Sequence, residues 1–350
     1  MSLLSRLRRL GRRDRSYVYP LERRNDRLFP PGYSGIIYVW DIDKTYLESD
    51  FDSWLGMLKI PFEFAVDKRS IAGADQLLRA IRRPQGGGPA SGLYFVSASP
   101  NGMRKTIEKK MLLDGVEHDG ITLKDWRGIV RSGRVSKLRE QIGYKLSALL
   151  LGRRDLGWKA RETLFGDDSE SDALSYGLYA DIIAGRLRGE KLSDILRKNG
   201  VSKEDVHYIG DLCADLPPMD LVERIYIHLE KGTPANAFEP WGPRLVACRG
   251  TFQMAACLVR DGQLPLAALA DQAKDLMTRH SVAASDLLER LGELNQNGQL
   301  NRQQSTSAIE ELRGQELISA EQAKGAIDAL TEREAGGDPG EMVTPPRYLL

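Results

Sequence analysis

At 350 residues, 41% apolar and 28% charged, the chain can bury a substantial core, which excludes disorder as a description of the whole. Its 50 basic and 49 acidic residues give a net charge of +1, without the basic excess of a dedicated nucleic-acid binder. Cys213, Cys248 and Cys257 have neither paired nor metal-type spacing, which argues against a disulfide or zinc framework and fits buried thiols in a reducing compartment.

The charge is uneven along the chain. Residues 1–30 hold nine arginines against Asp14, Glu22 and Asp26, a net +6, so the remainder carries about −5. Leu3, Leu4, Leu7 and Leu10 recur at helical spacing among those arginines, which predicts a short basic amphipathic helix. Such a segment suits an anionic lipid surface, with a solvated tail as the other reading. No apolar run reaches the roughly 18 to 20 residues that span a bilayer, and no cleavable leader pattern is present, so a cytoplasmic protein, peripheral at most to a membrane, is expected.

Phe29-Pro30-Pro31-Gly32 breaks the chain, and Ile36-Ile37-Tyr38-Val39-Trp40 then forms an apolar run suited to a strand buried on both faces. Leu93-Tyr94-Phe95-Val96 is a second run, and Glu162-Thr163-Leu164-Phe165 a weaker third. Periodic segments from Gly73 to Ile81, Met103 to Leu113 and Arg134 to Leu151 read as helices between them. Strands alternating with helices predict a doubly wound parallel α/β sheet. Gly86-Gly87-Gly88 lacks the Lys-Ser/Thr of a nucleotide loop and reads as a connection.

After about residue 265 the composition shifts to Ala, Gln, Glu and Leu with helical spacing. Asn301 with Gln304, and Ser319 with Gln322, predict two capping boxes that open a helical hairpin. The chain divides into a basic extension (1–34), an α/β domain (35–265), a helical region (266–334) and a flexible tail (335–350).

In a doubly wound sheet, ligands bind at the carboxyl ends of the strands. Here the first run ends in Asp41, the second in Ser97 and the third in Gly166-Asp167-Asp168. Asp41 and Asp43, two residues apart, share one side of an extended chain. One carboxylate can attack a phosphomonoester while the other moves protons, with Lys145 and a bound Mg²⁺ to offset the phosphate charge. A calcium loop is a poor fit, because Tyr46 stands where such a loop needs glycine. Ser99 competes with Ser97, and Lys137 and Lys159 compete with Lys145. Val206 to Asp211, followed by Asp215, reads as a second strand with an acidic end and rivals Asp167-Asp168. The four histidines, 118, 207, 228 and 280, show no metal spacing.

In this order the segments resemble the motifs of the haloacid-dehalogenase-like (HAD) phosphatases: Asp41-Ile42-Asp43-Lys44-Thr45, Ser97, Lys145, and Gly166-Asp167-Asp168-Ser169-Glu170-Ser171-Asp172. The resemblance spans residues 35 to 230. It implies that Asp41 forms a phosphoaspartyl intermediate and that Asp43 protonates the leaving group and then activates water. It further implies that Thr45, Ser97 and Lys145 hold the phosphoryl group, with Mg²⁺ on Asp41, Asp43 through its main chain, Asp167 or Asp168, and Asp172. Motif spacings of 52 residues (Thr45 to Ser97) and 48 (Ser97 to Lys145) leave little room for a cap domain. Ser49-Asp50, the segment from Phe95 to Met103, Phe165 to Asp168 and Tyr176 to Asp181 look like the catalytic domain of lipin-type phosphatidate phosphatases and their bacterial and fungal relatives. That likeness implies phosphatidate or a related phospholipid monoester as substrate, although Lys44 occupies a place often held by Gly or Asp. A weakly active or inactive module that binds phosphorylated lipid or protein is the alternative. No nucleic-acid partner is expected, and the partner of the carboxy-terminal helices is left open.

Overall fold

The structure, a computed structural model, describes residues 17, 19–27, 29–30, 32–48, 69–83, 90–133, 137, 140–169 and 171–334. The basic amphipathic segment, Ser49 and Asp50, the three-glycine connection, Glu170 and the tail beyond 334 lie outside the described residues. In chain order the strands are β1 (Leu21–Asn25), β2 (Ile36–Asp41), β3 (Gly92–Pro100), β4 (Gly120–Lys124), β5 (Arg161–Asp167), β6 (Val222–His228) and β7 (Leu245–Cys248). The helices are α1 (Ala74–Arg82), α2 (Arg104–Leu113), α3 (Trp126–Arg131), α4 (Ile142–Asp155), α5 (Asp172–Ile183), α6 (Gly189–Lys198) and α7 (Lys203–Ala214). They continue with α8 (Thr251–Arg260), α9 (Leu266–His280), α10 (Ala284–Gln296), α11 (Arg302–Gly314) and α12 (Ala320–Glu334).

The strands form one sheet in the order β1-β4-β3-β2-β5-β6-β7, parallel throughout except for β1, which runs antiparallel to β4. From central β2 the chain builds outward to β3 and β4, then crosses back to place β5 on the other side of β2. The topological switch therefore lies at the carboxyl end of β2, where the two connections diverge, the place at which open α/β sheets bind ligands. Asp41 is the last residue of that strand.

Alternation along β2 sorts its side chains between two cores. Tyr38 and Trp40 join a core with α1, α2 and α8 to α12, whereas Ile37 and Val39 join one with α4 to α7. On the first face the rings of Trp40 and Phe165 stack at 3.9 Å and those of Phe165 and Tyr226 at 5.1 Å, contacts each worth about 0.5–1.5 kcal/mol beyond burial.

Several expectations shift. Residues 21–25, assigned to the amino-terminal extension, form the edge strand β1, and Tyr19 and Phe29 are buried in the core. The helix expected over 134–151 begins only at Ile142. Val206 to Asp211 is no strand but part of α7, capped by Ser202, whose side chain accepts from the Asp205 N–H. Its buried residues Val206, Ile209, Leu212 and Cys213 follow a 3.6-residue period, which favours a helix over a strand. Both predicted capping boxes form, at Asn301/Gln304 and Ser319/Gln322. The helical region holds four helices among the described residues, where a hairpin was expected. Helices α9 and α10 open without a side-chain cap and so lack the capping-box signal. Among the described residues no helix is long and apolar enough to cross a membrane.

Candidate functional site

The strand ends bring the predicted residues together. Asp41 and Ser97 lie on neighbouring strands, and Asp167 closes β5 on the other side of β2. All three are almost completely buried, as are Asp43, Thr45, Lys145 and Asp172. Lys145 sits in the first turn of α4, and its Nζ lies 3.1 Å from Asp41 Oδ1 and pairs with Asp172 Oδ1. Asp172, the first residue of α5, also accepts the Asp167 N–H on its other oxygen at 3.2 Å. One carboxylate thus joins the lysine to the end of β5.

Gly166 makes that arrangement possible. A Cβ at this position would lie 2.3 Å from Asp172 Oδ2 and 2.7 Å from Asp172 Cβ, so only glycine leaves room for the carboxylate. Beside it, Tyr144 OH stands 2.5 Å from the Ser97 carbonyl and 3.0 Å from that of Thr122, tying the first turn of α4 to the ends of β3 and β4. Burial first, and then the Asp41 charge, hold this phenol far above its ordinary pKa. Burial and Asp172 do the same for Tyr176, whose OH donates to the Phe165 carbonyl at 3.1 Å. Both rings stay neutral donors.

Asp43 lies in the turn after β2. Ser97 and Ser99 donate their hydroxyls to Asp43 Oδ2 at 2.7 and 2.8 Å, and the Ser99 N–H donates to Ser97 Oγ at 2.9 Å. Both serines thus reach the same carboxylate oxygen. Lys44 adopts φ 59°, a left-handed conformation that costs a non-glycine residue about 1–2 kcal/mol. Its carbonyl accepts from His228 Nδ1 at 3.0 Å, and its N–H donates to Leu47 O at 2.8 Å. These bonds hold a turn in which the Thr45 hydroxyl is buried without a hydrogen-bond partner among the described residues.

Other candidates fall away. Lys137 Nζ pairs with Asp205 Oδ2 at 2.5 Å and meets Tyr17 and Ser202 in a separate polar cluster. Lys159 lies 4.9 Å over the Trp158 ring. Asp211 and Asp215 are exposed, Asp211 beside His207 and Asp215 3.9 Å from Arg154. Asp168 does not join the acidic group. Its two oxygens accept the N–H groups of Lys231 at 2.8 Å and Thr233 at 3.1 Å, so it ties down the loop after β6. Asp43 Oδ2 likewise is held by the two serines and not by the acidic group.

One oxygen each of Asp41, Asp167 and Asp172 lies within 4.8 Å of the others. Oxygens at opposite vertices of a Mg²⁺ octahedron are separated by about 4.2 Å, so a small contraction would bring this set around a hard divalent cation. The donor set is all carboxylate, which suits such a cation better than zinc or copper. Unit charges about 4 Å apart repel by about 4 kcal/mol at an effective dielectric near 20, so buried carboxylates at these distances favour bound positive charge. Lys145 supplies part of it.

Sequence reasoning treated Ser99 only as a substitute for Ser97 and did not register Gly166 or His228 as supports. The Ser-x-Ser spacing at a strand end was the signal available for the first, since residues i and i+2 of a strand share a face. No family model matches the chain, and comparison with curated proteins and with solved structures gives no match either.

Proposed function

We propose that this chain is a Mg²⁺-dependent phosphomonoesterase of the HAD-like type, with phosphatidate or a related phospholipid monoester as its candidate substrate. The observation that carries the reading is the meeting of Asp41, Lys145, Asp167 and Asp172 at the switch point of the sheet, beside an Asp43 held by two serines. The substrate class rests on the motif words around Asp41, Ser97 and Asp167, and on the short spacings between them.

Asp41 attacks phosphorus in line with the leaving oxygen, forming an aspartyl phosphate as the bond from phosphorus to that oxygen breaks. Asp43 gives the departing oxygen its proton. In the second half Asp43 takes a proton from water while the water oxygen bonds to phosphorus; the acyl phosphate bond breaks and the Asp41 carboxylate returns. The Lys145 ammonium and the hydroxyls of Ser97 and Thr45 hold the phosphoryl oxygens. When bound to Asp41, Asp167, Asp172 and the Asp43 main chain, Mg²⁺ supplies positive charge against the phosphoryl oxygens.

Purified protein is expected to release phosphate from an aryl phosphate with Mg²⁺ and from phosphatidate in mixed micelles. Asp41→Asn should lower turnover by about 10³-fold or more. An unchanged rate in Asp41→Asn would remove Asp41 as the nucleophile. Asp43→Asn should slow both half-reactions and leave a phosphoenzyme that intact-protein mass spectrometry detects.

A further inference from the structure

Ser97 and Ser99 are not equivalent, although both bind Asp43 Oδ2. The register between β3 and β4 slips between Ser97 and Pro100, so Ser99 lies within a bulge at the end of the strand. Bulges next to ligand sites re-aim side chains. Here Ser99 is buried to 1% exposure, with its hydroxyl 2.8 Å from the carboxylate and its N–H on Ser97 Oγ.

A serine hydroxyl has one proton to donate. Ser97 Oγ gives its proton to Asp43 Oδ2 and accepts the Ser99 N–H, which fixes the direction of that donation. If Ser97 is to bind a phosphoryl oxygen by donation, it must withdraw that proton from Asp43. Ser99 then remains as the hydroxyl on the carboxylate. We infer that Ser99 is a positioning residue that holds Asp43 in place through both half-reactions, freeing Ser97 to turn to the phosphoryl group. The proton that Asp43 gives to the leaving oxygen, and the one it later takes from water, pass at a carboxyl group whose rotation Ser99 sets.

This inference rests on the phosphatase reading, and the test separates the two. Wild type, Asp41→Asn, Ser97→Ala, Ser99→Ala and Ser99→Thr are compared with an aryl phosphate and Mg²⁺, after thermal melting shows which variants are folded. Orthovanadate inhibition reports binding of a phosphate-like group. Ser99→Ala is expected to lose about 10- to 100-fold in kcat, the scale of a misplaced acid–base group, with KM and vanadate affinity within about threefold of wild type. Ser99→Thr, which keeps the hydroxyl, should recover most of the loss. Ser97→Ala should weaken vanadate binding as well as turnover. A folded Ser99→Ala with kcat within twofold of wild type overturns the inference while the phosphatase reading stands. So does a loss confined to KM, or a folded Ser99→Thr no faster than Ser99→Ala. Wild type without phosphatase activity overturns both.

Discussion

Both faces of the sheet bury charged groups, Arg82 with Asp119 and Asp75 with Arg79 and Arg279 on the side of α1 and α9, but only one face carries Lys145 beside Asp41. Toward α4 to α7 lie charged groups taken out of water and paired: Lys145 with Asp172 and Asp41, Arg153 with Glu162, Lys137 with Asp205. Toward α8 to α12 the sheet presents stacked aromatic rings, and the five helices add Phe252, Leu269, Leu287, Leu291, Leu312 and other apolar side chains to the same core. Asp41 shares the strand parity of Ile37 and Val39, which point toward α4 to α7, so Lys145 meets it from that side. Among the described residues, none of the side chains placed at the candidate site comes from residues 249–334. The contrast teaches that the carboxy-terminal helices stabilise the sheet from the side away from Asp41 and Lys145.

Substitutions that separate the two faces sharpen this comparison. The largest effect is expected from Gly166→Ala, which forces the Asp172 carboxylate off the end of β5 and loosens Lys145. Phosphatase turnover should fall about 100-fold or more, and stability by about 1–3 kcal/mol, as read by kinetics and denaturant unfolding. Leu291→Ala should do the reverse. Leu291 is fully buried on α10, so its truncation should cost about 2–5 kcal/mol of stability while the folded protein keeps kcat within about twofold. A large fall in kcat for a folded Leu291→Ala protein would break the division between the faces. The smallest effect is expected at Lys44. Glycine removes the left-handed penalty of about 1–2 kcal/mol and adds backbone entropy to the unfolded chain worth about 0.4–1 kcal/mol. Lys44→Gly should therefore raise stability by about 0.5 kcal/mol, visible as a small rise in the urea midpoint; a clear drop would show that the lysine side chain holds the turn.

Much of this arrangement is local in origin and was legible along the chain. Continuous apolar runs marked β2 and β3, and a weaker one marked β5, because strands buried on both faces have no polar positions to interrupt them. The capping residues of α11 and α12 announced their helices because a cap is a contact between positions three apart. Edge strand β1 gave no such signal. Its Leu-Glu-Arg-Arg-Asn sequence is only partly buried, and it becomes a strand by pairing with β4 about a hundred residues away.

By itself the sequence determined that acidic and hydroxyl residues stand at the ends of buried strands, Asp41, Ser97 and Asp167 among them. Only the tertiary structure decided which of several chemically identical groups meet there. Lys145 rather than Lys137, Asp172 rather than Asp211, and Ser97 together with Ser99 were selected by distances between segments far apart in the chain. Asp167 and Asp168 are adjacent and alike in sequence, yet one carboxylate enters the buried acidic group while the other binds the N–H groups after β6. A strand sends neighbouring side chains to opposite sides, so a single step along β5 and its exit separates the two.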